Sequence, residues 1–139
     1  MPLTIFLDTS YVIALVSPRD RHHPAAKRWA QRVRDEQVRI VTTRAVQLEI
    51  GAALSRVAFR IAAATVLDAL DTDPSIEIVP VDDPLYHRAL ELFKSRADKG
   101  WSLTDCASFV VMADRGIAEA LTADEHFNQA GFAALLLDT

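Results

Sequence analysis

A single-domain α/β fold is what this sequence predicts: a parallel sheet of about five short strands with helices on both faces. Three observations predict it. Five apolar runs of strand length recur, at residues 3–7, 38–42, 76–79, 117–122 and 133–137. Stretches of helical period separate them, and strands alternating with helices call for parallel pairing through right-handed crossovers. The first and fourth runs lead straight into a carboxylate, Asp8 and Asp124, with a helix start directly after; open parallel sheets bind their ligands at that edge. The length, 139 residues, matches one domain spanning 1–139, and half the residues are apolar, enough to bury a core.

The elements follow in order. Leu3-Thr4-Ile5-Phe6-Leu7 has the length and residue types of a buried strand. It stops on Asp8-Thr9-Ser10, and residues 11–16 read as a helix. The loop at 17–24 is rich in turn residues, and Pro24 suits the first position of a helix over 25–36 with Ala26, Trp29, Ala30 and Val33 inward. His22 and His23 are adjacent in that loop, without a His or Cys partner at ligand spacing, and read as surface residues. The strand at 38–42 leads to Thr43, an N-cap by residue type, and to a helix over 44–57.

On that helix, at 100° per residue, Arg44, Gln47, Gly51 and Ser55 form the polar side, while Ala45, Val46, Glu49, Ala52 and Ala53 share the opposite arc. A carboxylate on an apolar arc is costly unless partnered. Two readings of Glu49 stand: an internal ion pair, with Arg56 as partner, or an acid in a cleft holding a metal.

Residues 59–70 read as a further helix, ended by the turn Asp71-Thr72-Asp73-Pro74-Ser75 before the strand at 76–79. Asp82 and Asp83 open a helix over 85–97 and read as N-terminal caps. Gly100 marks the stop. Ser102-Leu103-Thr104-Asp105 then fits a variant capping box ahead of a helix at 106–113 that is apolar nearly all round, hence buried. The strand at 117–122 runs out into Asp124, with a helical turn at 125–127 and an edge strand at 133–137 after it.

Composition excludes several classes. The single cysteine, Cys106, allows no intramolecular disulfide and no cysteine-rich zinc site, which fits a reducing compartment. The first apolar run has no basic segment before it and is broken early by Asp8, unlike a signal peptide. No run approaches the ~18 apolar residues of a membrane span, so a cytoplasmic location without membrane contact is expected. The net charge of −4 is uneven: residues 19–44 carry eight basic and three acidic side chains, +5, leaving −9 elsewhere. Such a division suits a metal-dependent enzyme acting on a polyanion, or simply a solvated helix face.

Taken jointly, Asp8, Glu49, Asp105 and Asp124 make a pattern. Parallel strands end on one edge, so Asp8 and Asp124 lie together; Asp105 begins the helix leading to the Asp124 strand. Converging carboxylates repel and raise each other's pKa, which a divalent cation resolves. Oxygen donors alone are on offer in this reading, favouring Mg²⁺ or Mn²⁺ over zinc.

These residues resemble the PIN-domain ribonucleases, and within them the VapC-type toxins of bacterial toxin–antitoxin pairs. The resemblance spans the chain. It rests on Phe6-Leu7-Asp8-Thr9-Ser10, Gln47-Leu48-Glu49-Ile50, Ser102-Leu103-Thr104-Asp105-Cys106 and Ala120-Leu121-Thr122-Ala123-Asp124, with residues 125–132 alongside. It implies a PIN-like fold and Mg²⁺- or Mn²⁺-dependent endonucleolytic cleavage of RNA. It also implies an acidic quartet of Asp8, Glu49, Asp105 and Asp124, acting as catalytic and metal-binding residues, with Ser10 and Thr122 in support. A homodimer and a cognate antitoxin are implied as partners. The stretch at 59–70, apolar on several sides, offers a groove for a partner helix, and Arg28, Arg32 and Arg44 are the expected RNA contacts. A phosphoaspartyl hydrolase of the haloacid dehalogenase type wants a second Asp where Ser10 stands. A receiver domain wants a late Lys, and none follows Lys99. A PIN fold that binds RNA without cutting it is the remaining alternative, although such chains usually show a degraded acidic set.

Overall fold

The computed structural model describes residues 3–137. Five strands, β1 (Thr4–Leu7), β2 (Arg39–Thr43), β3 (Ile76–Val79), β4 (Glu119–Leu121) and β5 (Ala133–Ala134), form one sheet in the order β3-β2-β1-β4-β5. Every pairing is parallel. Seven helices connect them: α1 (Thr9–Val16), α2 (His23–Asp35), α3 (Arg44–Ala53), α4 (Val57–Thr72), α5 (Asp83–Ser95), α6 (Leu103–Arg115) and α7 (Glu125–Gln129). None is long and apolar enough to cross a membrane. The expected fold class is borne out.

Strand alternation sorts the core into two layers. Leu7, Ile40 and Leu121 meet Tyr11, Val12, Val33, Val66 and Leu70 of α1, α2 and α4 around a small apolar cavity. Phe6 points the other way, with Phe127 at 6.3 Å between ring centroids; Phe127 meets Phe109 edge-on at 4.9 Å, and Phe109 meets Trp101 edge-on at 5.1 Å. Edge-to-face aromatic pairs add to the stabilisation from buried area, so this chain of rings fixes α6 and α7 against the sheet.

Winding order positions the site. From β1 the chain steps outward to β2 and β3, then returns across the sheet to β4 and β5 on the far side of β1. The reversal opens a crevice beyond the carboxyl ends of β1 and β4, the place where doubly wound sheets bind ligands. Asp8 and Asp124 stand there.

Several expected caps are present. Thr43 Oγ1 accepts from the Val46 N–H at 3.1 Å, and Asp82 Oδ1 from the Leu85 N–H at 2.9 Å. Ser102 and Asp105 form a reciprocal capping box. Several element boundaries differ from expectation; the edge strand expected over 133–137 shortens to Ala133–Ala134, with turn following. The helix predicted over 44–57 ends at Ala53, and α4 restarts after an extended Arg56. The helix expected to stop at Gly100 ends at Ser95, which frees Gly100 to line a pocket.

The orientation of α3 also needs correcting. Its buried face is Val46, Gln47 and Ile50, whereas Ala52 and Ala53 are exposed. Ile50 and Val46 bury far more apolar surface than an arc of alanines, and they set the rotation. Gln47 is tolerated inside because its amide donates to Asp71 Oδ1 at 2.9 Å. Replacing Phe127, fully buried between the sheet and α6, by Ala should lower stability by about 3–5 kcal/mol in urea denaturation. A loss under about 1 kcal/mol would mean that the aromatic chain does not hold α7.

Candidate active site

Each acid reaches the crevice by a local rule. Asp8 is the last residue before α1, held in extended geometry with its N–H on the Leu121 carbonyl at 3.2 Å. Asp124 caps the short α7, accepting the His126 N–H at 2.9 Å. Asp105 is the third residue of α6, accepting the Ser102 N–H at 3.1 Å. Glu49 sits half-buried at the flank of α3; it makes no ion pair among the described residues, so the proposed Arg56 partnership is not formed. All four line one pocket of about 390 Å³, together with Ser10, Thr9, Gly100, Ser102 and His126. A larger, mostly apolar hollow of about 650 Å³ lies beside Trp101, with Glu91 as its one acid.

Ser10 and Thr122 knit the pocket floor. Thr122 Oγ1 donates to Asp8 Oδ2 at 2.7 Å and accepts the Asp124 N–H at 3.0 Å. Ser10 Oγ donates to the same Asp8 oxygen at 3.1 Å and accepts the Ala123 N–H at 2.9 Å. The two hydroxyls lie 3.0 Å apart. Both therefore orient Asp8 and the β4–α7 corner together.

The electrostatics are those of buried acids, with like charge nearby as a smaller contribution. Burial pushes the Asp8 carboxyl up to about 6; the Thr122 hydrogen bond opposes this and the charge of Asp105 adds to it. Burial likewise raises Asp105, opposed by the Ser102 N–H and reinforced by the charge of Asp124.

His126 is the residue that sequence reasoning missed. Its Nδ1 lies 3.1 Å from Asp105 Oδ2 and 3.3 Å from Asp124 Oδ1. One donor atom each from Asp105, Asp124 and His126 falls within a span of 4.8 Å. The available signal was its place two residues after Asp124, on the turn that Asp124 caps. The clustered donor set is thus two carboxylates and an imidazole rather than oxygen alone, and it fits a divalent cation; Asp8 and Glu49 line the same pocket but lie outside this cluster. Thr9, whose buried hydroxyl has no hydrogen-bond partner among the described residues, borders the same pocket. His22 and His23 stand apart from it; His23 is engaged with the Ala14 carbonyl at 2.7 Å.

A family model described as the PIN domain matches residues 5–133. The chain belongs to the PIN domain family. Two curated relatives, the 23S rRNA-specific endonuclease VapC20 from two strains of Mycobacterium tuberculosis, are each 34% identical to it over 130 residues, 92% of this chain and 95% of theirs. The crystal structure of Mycobacterium tuberculosis VapC20, described as a sarcin-ricin loop cleaving toxin, superposes with a TM-score of 0.82. The identity there is 30%, over 94% of this chain and 97% of that one. FitAcB from Neisseria gonorrhoeae, at 17% identity over 93% of this chain and 94% of that one, shares the fold with a TM-score of 0.61. The resemblance to PIN-domain proteins of the VapC type agrees with these relatives.

The raised Asp8 pKa has a consequence for this PIN domain without metal. A carboxyl whose folded pKa exceeds its unfolded value stabilises most below the unfolded value and loses that contribution as pH rises through the folded one. Between about pH 4 and 6, metal-free protein should therefore lose stability on the order of 3 kcal/mol relative to Asp8→Asn. Chemical denaturation across pH in the presence of chelator measures this, and parallel curves for the two proteins would refute it. Millimolar Mg²⁺ or Mn²⁺ should raise the melting temperature at pH 7 more than at pH 5.

Proposed function

We propose that this chain is a metal-dependent endoribonuclease, the toxin of a type II toxin–antitoxin pair. The observation that carries the reading is the convergence of Asp8, Glu49, Asp105 and Asp124 on one pocket at the switch point of the sheet. The relatives named above support it. Asp8, Asp105 and Asp124 would hold an Mg²⁺ or Mn²⁺ ion, with Glu49 facing them from α3. When bound, such an ion supplies Lewis acidity: it offsets phosphate charge and makes water a better nucleophile.

The residues themselves do the positioning. Ser10 and Thr122 direct their O–H groups to Asp8 Oδ2 and so fix its carboxylate at the pocket. The capping box fixes the Asp105 carboxylate from the backbone side. Glu49, free of any partner among the described residues, faces the pocket from α3 with its carboxylate unengaged. Hydrolysis adds that water across a P–O bond, leaving a phosphate on one fragment and a hydroxyl on the other.

RNA would cross a partly basic surface. Of the three expected contacts, Arg32 is paired with Glu36 at 2.6 Å and lies over the Trp29 ring, while Arg44 is paired with Asp71 at 3.3 Å. Arg28 is exposed and makes no ion pair among the described residues, so it is the one left to meet a phosphate. The expected partner groove is narrower than residues 59–70: Ala63 and Leu70 are buried in the core. The outward apolar surface is Leu48, Val57 and Ile61, between 72% and 90% exposed. A surface of this kind suits an antitoxin helix or a second copy of the chain. The setting for such a pair is the cytoplasm.

The VapC20 relatives make 23S rRNA the first substrate to test. Purified protein with Mn²⁺ should cut it at discrete sites. Asp8→Asn and Asp105→Asn should each lower the rate at least about 100-fold while keeping the native circular dichroism. Retained cleavage by both variants would refute the assignment, and binding without any cleavage by wild type would favour the RNA-binding alternative. Charge reversal at Arg28 should weaken RNA binding and lower the slope of log affinity against log salt by roughly 1; an unchanged slope would remove Arg28 from the interface.

A further inference from the structure

We infer that His126 is itself a ligand of the ion in this pocket, through Nδ1, and that its nitrogen shifts the site's preference from Mg²⁺ toward a first-row transition ion such as Mn²⁺. The inference rests on the metal-dependent reading above and goes beyond it, since that reading needs only carboxylates.

Geometry is the first support. The separations of Nδ1 from Asp105 Oδ2 and Asp124 Oδ1 are 3.1 and 3.3 Å. Neighbouring donors around an octahedral ion with bonds near 2.1 Å stand about 3 Å apart. The imidazole thus already occupies a corner beside both acids rather than hanging over the pocket mouth. Both carboxylates keep lone pairs after accepting the Ser102 and His126 backbone N–H groups. The backbone that carries the ring is held, its own peptide N–H donating to Asp124 at 2.9 Å, and a Cβ built on Gly100 would stand 3.7 Å from Nε2. With the proton carried on Nε2, Nδ1 presents its lone pair to the space between the two acids.

Chemistry is the second support. Mg²⁺ is hard and prefers oxygen, while imidazole suits transition ions better. Two carboxylates and one imidazole are a mixed set that strengthens Mn²⁺ binding more than Mg²⁺ binding. A competing role for His126 is a purely positioning one, with Nδ1–H donating to both carboxylates. The two roles differ in which form of Nδ1 is present, and Asn separates them: His126→Asn keeps an N–H donor but offers no imidazole lone pair.

The test uses the full chain without RNA. Mn²⁺ is titrated and followed by electron paramagnetic resonance, with pulsed measurements reading nitrogen hyperfine coupling from a directly bonded ring. Mg²⁺ affinity is read by competition. Wild type should show the coupling; His126→Ala and His126→Asn should both lack it, and both should lose at least about tenfold in Mn²⁺ affinity with a smaller loss for Mg²⁺. Mn²⁺ bound by wild type without nitrogen coupling would overturn the inference and leave the carboxylate centre standing, as would restoration of full affinity by Asn or equal losses for both ions. Failure of wild type to bind either ion would overturn the metal-dependent reading as well.

Discussion

The hydrogen bond from Thr122 to Asp8 spans 114 residues of chain and 2.7 Å of space, and the rest of the pocket is arranged around it. Burying a carboxylate at the end of a central strand costs free energy unless it is hydrogen-bonded. Here the compensation comes from hydroxyls, not from a cation: Thr122 on the neighbouring strand's end and Ser10 on the first turn of α1. That choice keeps the negative charge available to a ligand. It also ties the sheet edge together, because the same hydroxyls accept the backbone N–H groups of Ala123 and Asp124. Parallel pairing of Leu7 with Leu121 brings these groups into reach, so sheet register and pocket geometry are one constraint.

The acids are brought together against their mutual repulsion. Asp8 feels the charge of Asp105, and Asp105 that of Asp124. Elsewhere the protein pairs its acids conventionally: Asp114 with Arg88, Glu77 with Arg115 and Asp98 with Arg96. These exposed pairs add little individually, but they show that basic partners were at hand, and none was placed in the pocket. The pocket's lining includes no arginine or lysine to balance these carboxylates, and a bound cation would relieve their repulsion.

The sequence made much of this legible. Strand positions followed from apolar runs ended by turn residues, and the Thr43, Asp82 and Ser102 caps followed from residue type and spacing. The gathering of the acids followed from parallel topology, since strand ends share an edge. Three features were hidden. The break after Ala53 has no Gly or Pro to announce it. The rotation of α3 was misjudged because Gln47 looked polar; only its distant partner, Asp71, makes it an inward residue. His126 lies on a helix of five residues, too short for periodicity to say where a ring points. For Gln47 and His126 the deciding contact came from another part of the chain.

The acidic pocket draws its walls from residue 8 at one end of the chain and residue 126 near the other. No segment shorter than residues 8–126 therefore carries the complete pocket. Until β4 and α7 have docked beside β1, Asp8 has neither Thr122 nor Asp124 nearby. The pocket is thus the outcome of closing the whole sheet and belongs to no single segment.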